Sequence, residues 1–220
     1  MNLVFASNNA HKLAEVREIM PAGVRVLSLR EIGFEAEIEE TGTTLEENSM
    51  IKARAVADFI MANGQMANGE GVDGVFADDT GLEIDALGGK PGVYTARWYL
   101  KDGQKPLANE LEVFAANRAK ALRELEGQSE RGAQFRTVIT MIMVNGRKAK
   151  GEREGEDVWQ VEGVVRGQIA REEYGVGGFG YDPVFIPEGY DKTFGELPAE
   201  IKNSISHRAR ALEALVKKIS

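Results

Sequence analysis

The chain opens on four apolar positions, Leu3-Val4-Phe5-Ala6, enough for one short strand. A polar stretch, Ser7-Asn8-Asn9-Ala10-His11-Lys12, follows. Leu13, Val16, Ile19 and Met20 then recur at helical spacing until Pro21 and Gly23 close the pattern. Thr44 and Glu47 have the spacing of a capping box. Ile51, Val56, Phe59 and Ile60 continue it as a helical stripe that ends at Asn63-Gly64. From Gln65 to Gly74 three further glycines and few apolar residues predict an exposed loop. Gly74-Val75-Phe76-Ala77 reads as a buried strand leading into Asp78-Asp79-Thr80-Gly81, and Leu82-Glu83-Ile84-Asp85 alternates like a half-buried one.

Farther on, Ala108 to Leu125 is amphipathic, with Leu111, Phe114, Leu122 and Leu125 on one side. Phe135–Val144 and Val158–Val165 are strand candidates, with a turn at Asn145-Gly146 and a charged return from Arg147 to Asp157. A glycine-rich loop, Gly175 to Gly180, precedes a short strand at Val184-Phe185-Ile186. The last helix runs from Ser206 to Ile219, with Ala209, Leu212, Leu215 or Val216, and Ile219 facing inward. Helices interleaved with short and long strands predict an α/β fold around a mixed sheet. No Pro/Ser-rich linker divides the 220 residues, so residues 1–220 read as one domain, with two lobes on one long sheet as the alternative.

Composition narrows the chemistry. The chain has no cysteine, which removes disulfides, thiolate metal sites and cysteine nucleophiles. Lys+Arg 27 against Asp+Glu 35 gives a formal net charge of −8, a poor basis for binding nucleic acid or a membrane surface. The longest plainly apolar stretch, Val138 to Val144 with Thr140 inside it, is far short of the roughly 20 residues a bilayer crossing needs. The N-terminus lacks the basic start and longer apolar core of a secretion signal, so a cytoplasmic location is expected.

Several motifs carry candidate chemistry. Ser7 to Lys12, at a strand-to-helix turn, suits an anion, although without glycine it is no Walker A loop; a helix cap with Lys12 solvated is the plain alternative. Asp78 and Asp79 are adjacent carboxylates placed after an apolar strand, where α/β sheets hold ligands. Their mutual repulsion calls for a cation, and Mg²⁺ suits carboxylate oxygens together with phosphates; a solvated turn accounts for them equally well. Glu39 and Glu40 offer further carboxylates, and Asn48 and Lys52 share a helix face. With Ser206 as N-cap, His207 and Arg208 fall in the first helical turn, which the macrodipole disfavours unless an anion or electron-rich ligand meets them. Gly177-Gly178-Phe179-Gly180-Tyr181-Asp182-Pro183 combines close backbone approach with aromatic faces, fitting either a base or a tight core corner.

Taken in order, these pieces resemble the inosine/xanthosine triphosphate pyrophosphatase family. The matching runs are Ser7-x-Asn9-x-x-Lys12, Glu40-Thr41-Gly42-x-Thr44-x-x-Glu47-Asn48-x-x-x-Lys52-Ala53, Ala77-Asp78-Asp79-Thr80-Gly81-Leu82, Gly88-Gly89-x-Pro91-Gly92-Val93-Tyr94-x-Ala96-Arg97, the Gly177–Pro183 run and Ser206-His207-Arg208. Thr80 stands where serine is frequent and keeps the hydroxyl, and the 65–74 segment is a loop insertion. The resemblance implies Mg²⁺-dependent cleavage of non-canonical purine triphosphates (ITP, dITP, XTP) to the monophosphate and pyrophosphate. It also implies a two-lobed fold on an elongated mixed sheet, and a homodimer. By the same resemblance Ser7, Asn8, Asn9, Ala10, His11 and Lys12 hold phosphates with Lys52. Asp79 is catalytic and, with Glu39, a metal ligand to expect; Asp78 and Asp79 are alternatives for the base, and Glu40 is the alternative to Glu39 at the metal. Thr80, Phe179, Gly180, Tyr181, Asp182, Lys202, His207 and Arg208 contact the nucleotide. Two readings compete: a Maf-type pyrophosphatase, which lacks the Ser206-His207-Arg208 ending, and a non-enzymatic purine nucleotide sensor, which has no use for an acidic cluster.

Overall fold

The computed structural model describes residues 1–64, 66–67, 70–144 and 157–219. Strand β1 (Asn2–Phe5) is buried on both faces, as an internal parallel strand must be. Helix α1 (Ala10–Ile19) starts three residues before the expected Leu13, because Asn9 caps it: Asn9 Oδ1 accepts the Lys12 N–H at 3.0 Å. Ala10, His11 and Lys12 are therefore the first helical turn rather than loop. Strand β2 (Arg25–Leu27) follows.

Helix α2 (Leu45–Ala62) has the predicted capping box: Thr44 Oγ1 accepts the Glu47 N–H at 3.1 Å and the Glu47 carboxylate accepts the Thr44 N–H at 3.2 Å. Its buried face is Leu45, Asn48, Ser49, Lys52, Ala53, Val56, Ala57 and Ile60, so Ile51 and Phe59 lie at the margin instead of the centre. Ser49, Ala53 and Ala57 are small, which lets the helix lie close to the sheet. The 65–74 segment contains a short antiparallel pair, β3 (Met66–Ala67) with β4 (Glu70–Gly71), in place of plain loop.

The largest departure concerns Asp78-Asp79-Thr80-Gly81. These residues are no turn at a strand end; they lie inside β5, which runs unbroken from Gly74 to Ile84. β5 pairs with β1 at one end (Phe5 opposite Phe76) and with β6 (Lys90–Gly92) at the other (Leu82 opposite Gly92). Backbone pairing at both ends holds the intervening residues extended whatever their turn propensity. Helix α3 (Glu110–Glu124) buries Asn117, Lys120 and Ala121, while Leu111, expected inside, is 72% exposed. Strands β7 (Gly132–Met143), β8 (Val158–Ile169) and β9 (Phe185–Pro187) complete the main sheet, and the expected Asn145-Gly146 turn and charged return fall largely outside the described residues. Helix α5 (His207–Ile219) is the expected final helix; a short α4 (Ala199–Ile205) precedes it, unforeseen, and the two are separated by extended Ser206.

The sheet order is β2-β1-β5-β7-β8-β9, with β6 on β5; β2, β1 and β5 are parallel while β6 and β9 run antiparallel to their partners, so the sheet is mixed. The residues form two compact units: Met1–Asp79 with Thr137–Gly163 and Ala211–Ser220, and Thr80–Arg136 with Val164–Arg210. In the first unit, strand alternation sends Val4, Val75 and Ala77 to the α2 face. Leu3, Phe5 and Phe76 go to the other face, against Val16 of α1 and Leu212 and Leu215 of α5. The second unit's core gathers Leu82, Ile84, Trp98, Phe135, Tyr181, Phe185 and Phe194 with Ala121 of α3. Among the described residues no helix is long and apolar enough to cross a membrane.

Candidate functional site

In the first unit, β1 lies between parallel neighbours β2 and β5, and the chain leaves it first to one side and then to the other. The carboxyl end of such a strand is where open α/β sheets bind ligands. Ser7, Asn8 and Asn9 occupy that end, with Asn8, Ala10 and His11 exposed. Ser7 Oγ accepts the Asn9 N–H at 3.3 Å. β1 stops at Phe5 while β5 continues, which places Asp78 and Asp79 just past the end of β1 although they are inside their own strand.

The strand pleat turns adjacent side chains to opposite faces. Asp78 points with Phe76 toward α1, where Lys12 Nζ donates to its Oδ1 at 2.9 Å. Asp79 points with Ala77 toward α2, where Lys52 Nζ donates to its Oδ1 at 2.9 Å and to Glu40 Oε1 at 2.8 Å. The two carboxylates are thus relieved by two lysines, one from each face. Lys52, for which a solvated side chain is the plain expectation, is 8% exposed. Burial works against its ammonium, but the charges of Asp79, Glu40 and Asp78 outweigh it and hold the group above its ordinary pKa. Burial likewise lifts the Asp79 carboxyl above the usual carboxylate range, against the pull of Lys52 and Lys12.

Glu40 reaches this group and Glu39 is exposed. Among the described residues no three His, Asp or Glu side chains converge as a complete metal cage. Mg²⁺ does not need one: it commonly takes one or two protein carboxylates and fills its shell with water and substrate phosphate. Asp79 and Glu40, two hard oxygen donors meeting at one ammonium, fit that requirement.

The second unit assembles a different group. Asp182, 4% exposed, accepts the Phe179 N–H and the Lys202 ammonium on the same Oδ2, each at 2.7 Å. Gly178 has φ +70°, and a Cβ there would sit 2.0 Å from Asp182 Oδ2, so only glycine allows this closure. The Phe179 ring is partly exposed, with Lys202 Nζ 4.8 Å and the Arg208 guanidinium 5.9 Å from its centre. Ser206 caps α5, its Oγ accepting the Ala209 N–H at 3.2 Å. His207 and Arg208 stand in the first turn as expected, both buried. The His207 ring lies 4.8 Å from that of Phe135, and Arg208 Nη2 is 3.5 Å from Thr80 Oγ1. Tyr181 belongs to the core: its hydroxyl donates to the Thr95 carbonyl at 3.1 Å, and burial pushes its phenol up. Gly180 is half-buried, and its carbonyl is held.

Two residues absent from the predicted set take part in these groups. Arg118 of α3 donates from Nη1 to the Gly180 carbonyl at 2.9 Å and pairs through Nε with Glu173 at 3.0 Å, holding the glycine loop. Its position four residues after Phe114, whose ring lies 6.2 Å from that of Phe179, is the available signal. Asn48 accepts the Gly42 N–H at 2.8 Å on the same helix face as Lys52. That shared spacing is visible in the sequence, but its burial is not.

A model of the Ham1 family matches residues 3–218. The chain is 44% identical over 217 residues to the dITP/XTP pyrophosphatase of Bacillus subtilis (strain 168), covering 97% of this chain and 94% of that protein. It is 42% identical over 216 residues to the enzyme of the same name from Flavobacterium johnsoniae, covering 98% and 96%. Among solved structures it is similar to the Ham1 protein of Staphylococcus aureus, with TM-score 0.74, 34% identity and coverage of 100% and 98%. A HAM1 protein from Coxiella burnetii gives TM-score 0.76 at 34% identity, with coverage of 100% and 98%.

Proposed function

Because the chain belongs to the Ham1 family, we propose that it hydrolyses non-canonical purine nucleoside triphosphates, dITP, XTP and ITP, to the monophosphate and pyrophosphate. The observation that carries this reading is the lysine–carboxylate cluster of the first unit, Lys12 with Asp78 and Lys52 with Asp79 and Glu40. Two ammonium groups beside the carboxyl end of β1 suit a polyphosphate, and Ser7 to Lys12 add the N-terminal turn of α1.

In the reaction, water oxygen bonds to the α-phosphorus, the bond from that phosphorus to the α,β-bridging oxygen breaks, and pyrophosphate leaves. Asp79, buried beside Lys52, takes the water proton as general base. Lys12 and Lys52 hold phosphate oxygens and offset the charge that builds on them. Asp79 and Glu40, with Glu39 next in sequence, would hold Mg²⁺, which when bound supplies further neutralisation of phosphoryl charge. Asp78, turned to the opposite face, serves by fixing Lys12.

Phe179 supplies the stacking face for the base, and Lys202, His207 and Arg208 supply donors for the 6-oxo group that inosine and xanthine carry and adenine lacks. Thr80, Gly180, Tyr181 and Asp182 shape this group, the last by holding both Phe179 and Lys202. A site that relies on donors rejects a 6-amino base by roughly 10⁴-fold. The reading extends to one functional domain over residues 1–220, a homodimer and a cytoplasmic location.

The test is pyrophosphate release from dITP, XTP, GTP and ATP, with Mg²⁺ and with EDTA. Turnover of dITP and XTP far above ATP, abolished by EDTA, is the expected outcome. Equal rates for dITP and ATP, or binding without any release of pyrophosphate, would overturn the assignment in favour of a less selective hydrolase or a sensor.

A further inference from the structure

Arg118 lies on α3, four residues after Phe114 and so on the same face of the helix. Its side chain is only 15% exposed. Burying a guanidinium costs free energy unless other groups replace the water it loses. Both replacements come from one loop: Nη1 donates to the Gly180 carbonyl at 2.9 Å, and Nε stands 3.0 Å from Glu173 Oε2. Glu173 and Gly180 bound a largely exposed run of chain, so a single planar side chain staples both of its ends.

The loop's other fastenings do not reach Gly180. The Tyr174 N–H donates to the Pro183 carbonyl at 2.8 Å, the Thr193 hydroxyl to the Tyr174 carbonyl at 2.8 Å, and the Gly177 N–H to the Gly195 carbonyl at 2.9 Å. Phe179 is tied at its backbone to Asp182, which accepts the Phe179 N–H on its carboxylate and gives its own N–H to the Phe179 carbonyl at 3.2 Å. Gly180 follows with φ +62°, a conformation that glycine enters and leaves freely. The bond from Arg118 selects one orientation of the Gly180–Tyr181 peptide. One helical turn earlier, Phe114 brings its ring to 6.2 Å from that of Phe179. Two side chains of α3 thus hold two adjacent loop residues: the ring offered to the base and the glycine beside it.

We propose that Arg118 is a positioning residue for base binding: by tying Gly180 and Glu173 to α3, it keeps the Phe179 ring in the pose that stacks on the purine. This deepens the pyrophosphatase reading above and rests on it. The partners named for Arg118 all belong to the base-binding loop, so its loss weakens the hold on the base and spares the chemical step. The experiment measures steady-state kcat and KM for dITP with Mg²⁺, with Tm alongside. Arg118→Met keeps an unbranched stem and removes the donors; KM is expected to rise about tenfold with kcat within about twofold of wild type. Arg118→Lys keeps the charge but not the planar fork, and recovers part of the loss, with KM about threefold above wild type. General loosening of the fold lowers Tm and kcat together and does not give that split. If Arg118→Met does not fold, Glu173→Gln takes its place: it changes an exposed side chain, removes the charge that orients the guanidinium, and is expected to raise KM about threefold. Wild-type KM in folded Arg118→Met, or a fall in kcat with KM unmoved, overturns the inference. So does wild-type KM in Glu173→Gln where Arg118→Met is unfolded. Any of these results beside a wild-type protein that releases pyrophosphate from dITP defeats the inference alone. A wild-type protein that releases none defeats the pyrophosphatase reading, and the inference with it.

Discussion

Asp79 and Asp78 are neighbours in sequence, but the pleat of β5 gives them different partners and so different work. Asp79 shares Lys52 with Glu40 and is largely buried, which lifts its pKa; Asp78 is tied to Lys12. Asp79→Asn keeps the size and a carbonyl oxygen for Lys52 while removing the base. Turnover of dITP in this variant is expected to fall by about 10² or more, the usual worth of a positioned proton acceptor. Steady-state kinetics decide it: a loss smaller than tenfold would move the base elsewhere. Lys52 is the clearest case of a residue whose type was legible and whose setting was not. A lysine on a mixed helix face reads as solvated, and only the fold brings Glu40 and Asp79 to it.

At the scale of elements, the pieces readable in advance were those held by local hydrogen bonds. The capping box of α2 and the Ser206 cap of α5 are bonds across three residues, so the sequence contains both partners. Arg17 of α1 and Ser28, just after β2, are joined by one carboxylate. Glu31 Oε2 accepts the Ser28 N–H at 2.7 Å, the Ser28 hydroxyl at 2.6 Å and Arg17 Nη2 at 2.6 Å. The Ser28 hydrogen bonds foremost, and the Arg17 charge after them, hold the Glu31 carboxyl below its usual range. A lowered pKa in the folded state means stability that is present above the unfolded-state value and lost as pH falls through the folded one. Glu31→Gln is therefore expected to lower Tm at neutral pH, with the difference from wild type shrinking as pH falls below the ordinary carboxylate range. A Tm difference that persists unchanged in acid would show that shape, not charge, matters there.

On the scale of the whole molecule, the first unit is closed by residues from its two ends: Leu212 and Leu215 of α5 pack with Leu3 and Phe5 of β1. Leu212 is fully buried, and Leu212→Ala should cost about 2–5 kcal/mol, read as a lower urea midpoint with an unchanged slope. A loss under 1 kcal/mol would mean that α5 contributes little to that core. The sequence by itself determined the α/β class, the caps, the apolar strands and the chemical types available, since hydrophobic period and short-range hydrogen bonds are written along the chain. It also contained the family motifs in order. Only the tertiary structure decided that Asp78-Asp79-Thr80-Gly81 is strand and not turn, that Leu111 faces outward, and that Lys52 and Asn48 are buried. Each of these depends on residues far away in the chain: β1 and β6 pairing on β5, or two carboxylates gathering at one ammonium. Turn propensity and amphipathic spacing are weak, local preferences, and long-range backbone pairing and burial outweigh them.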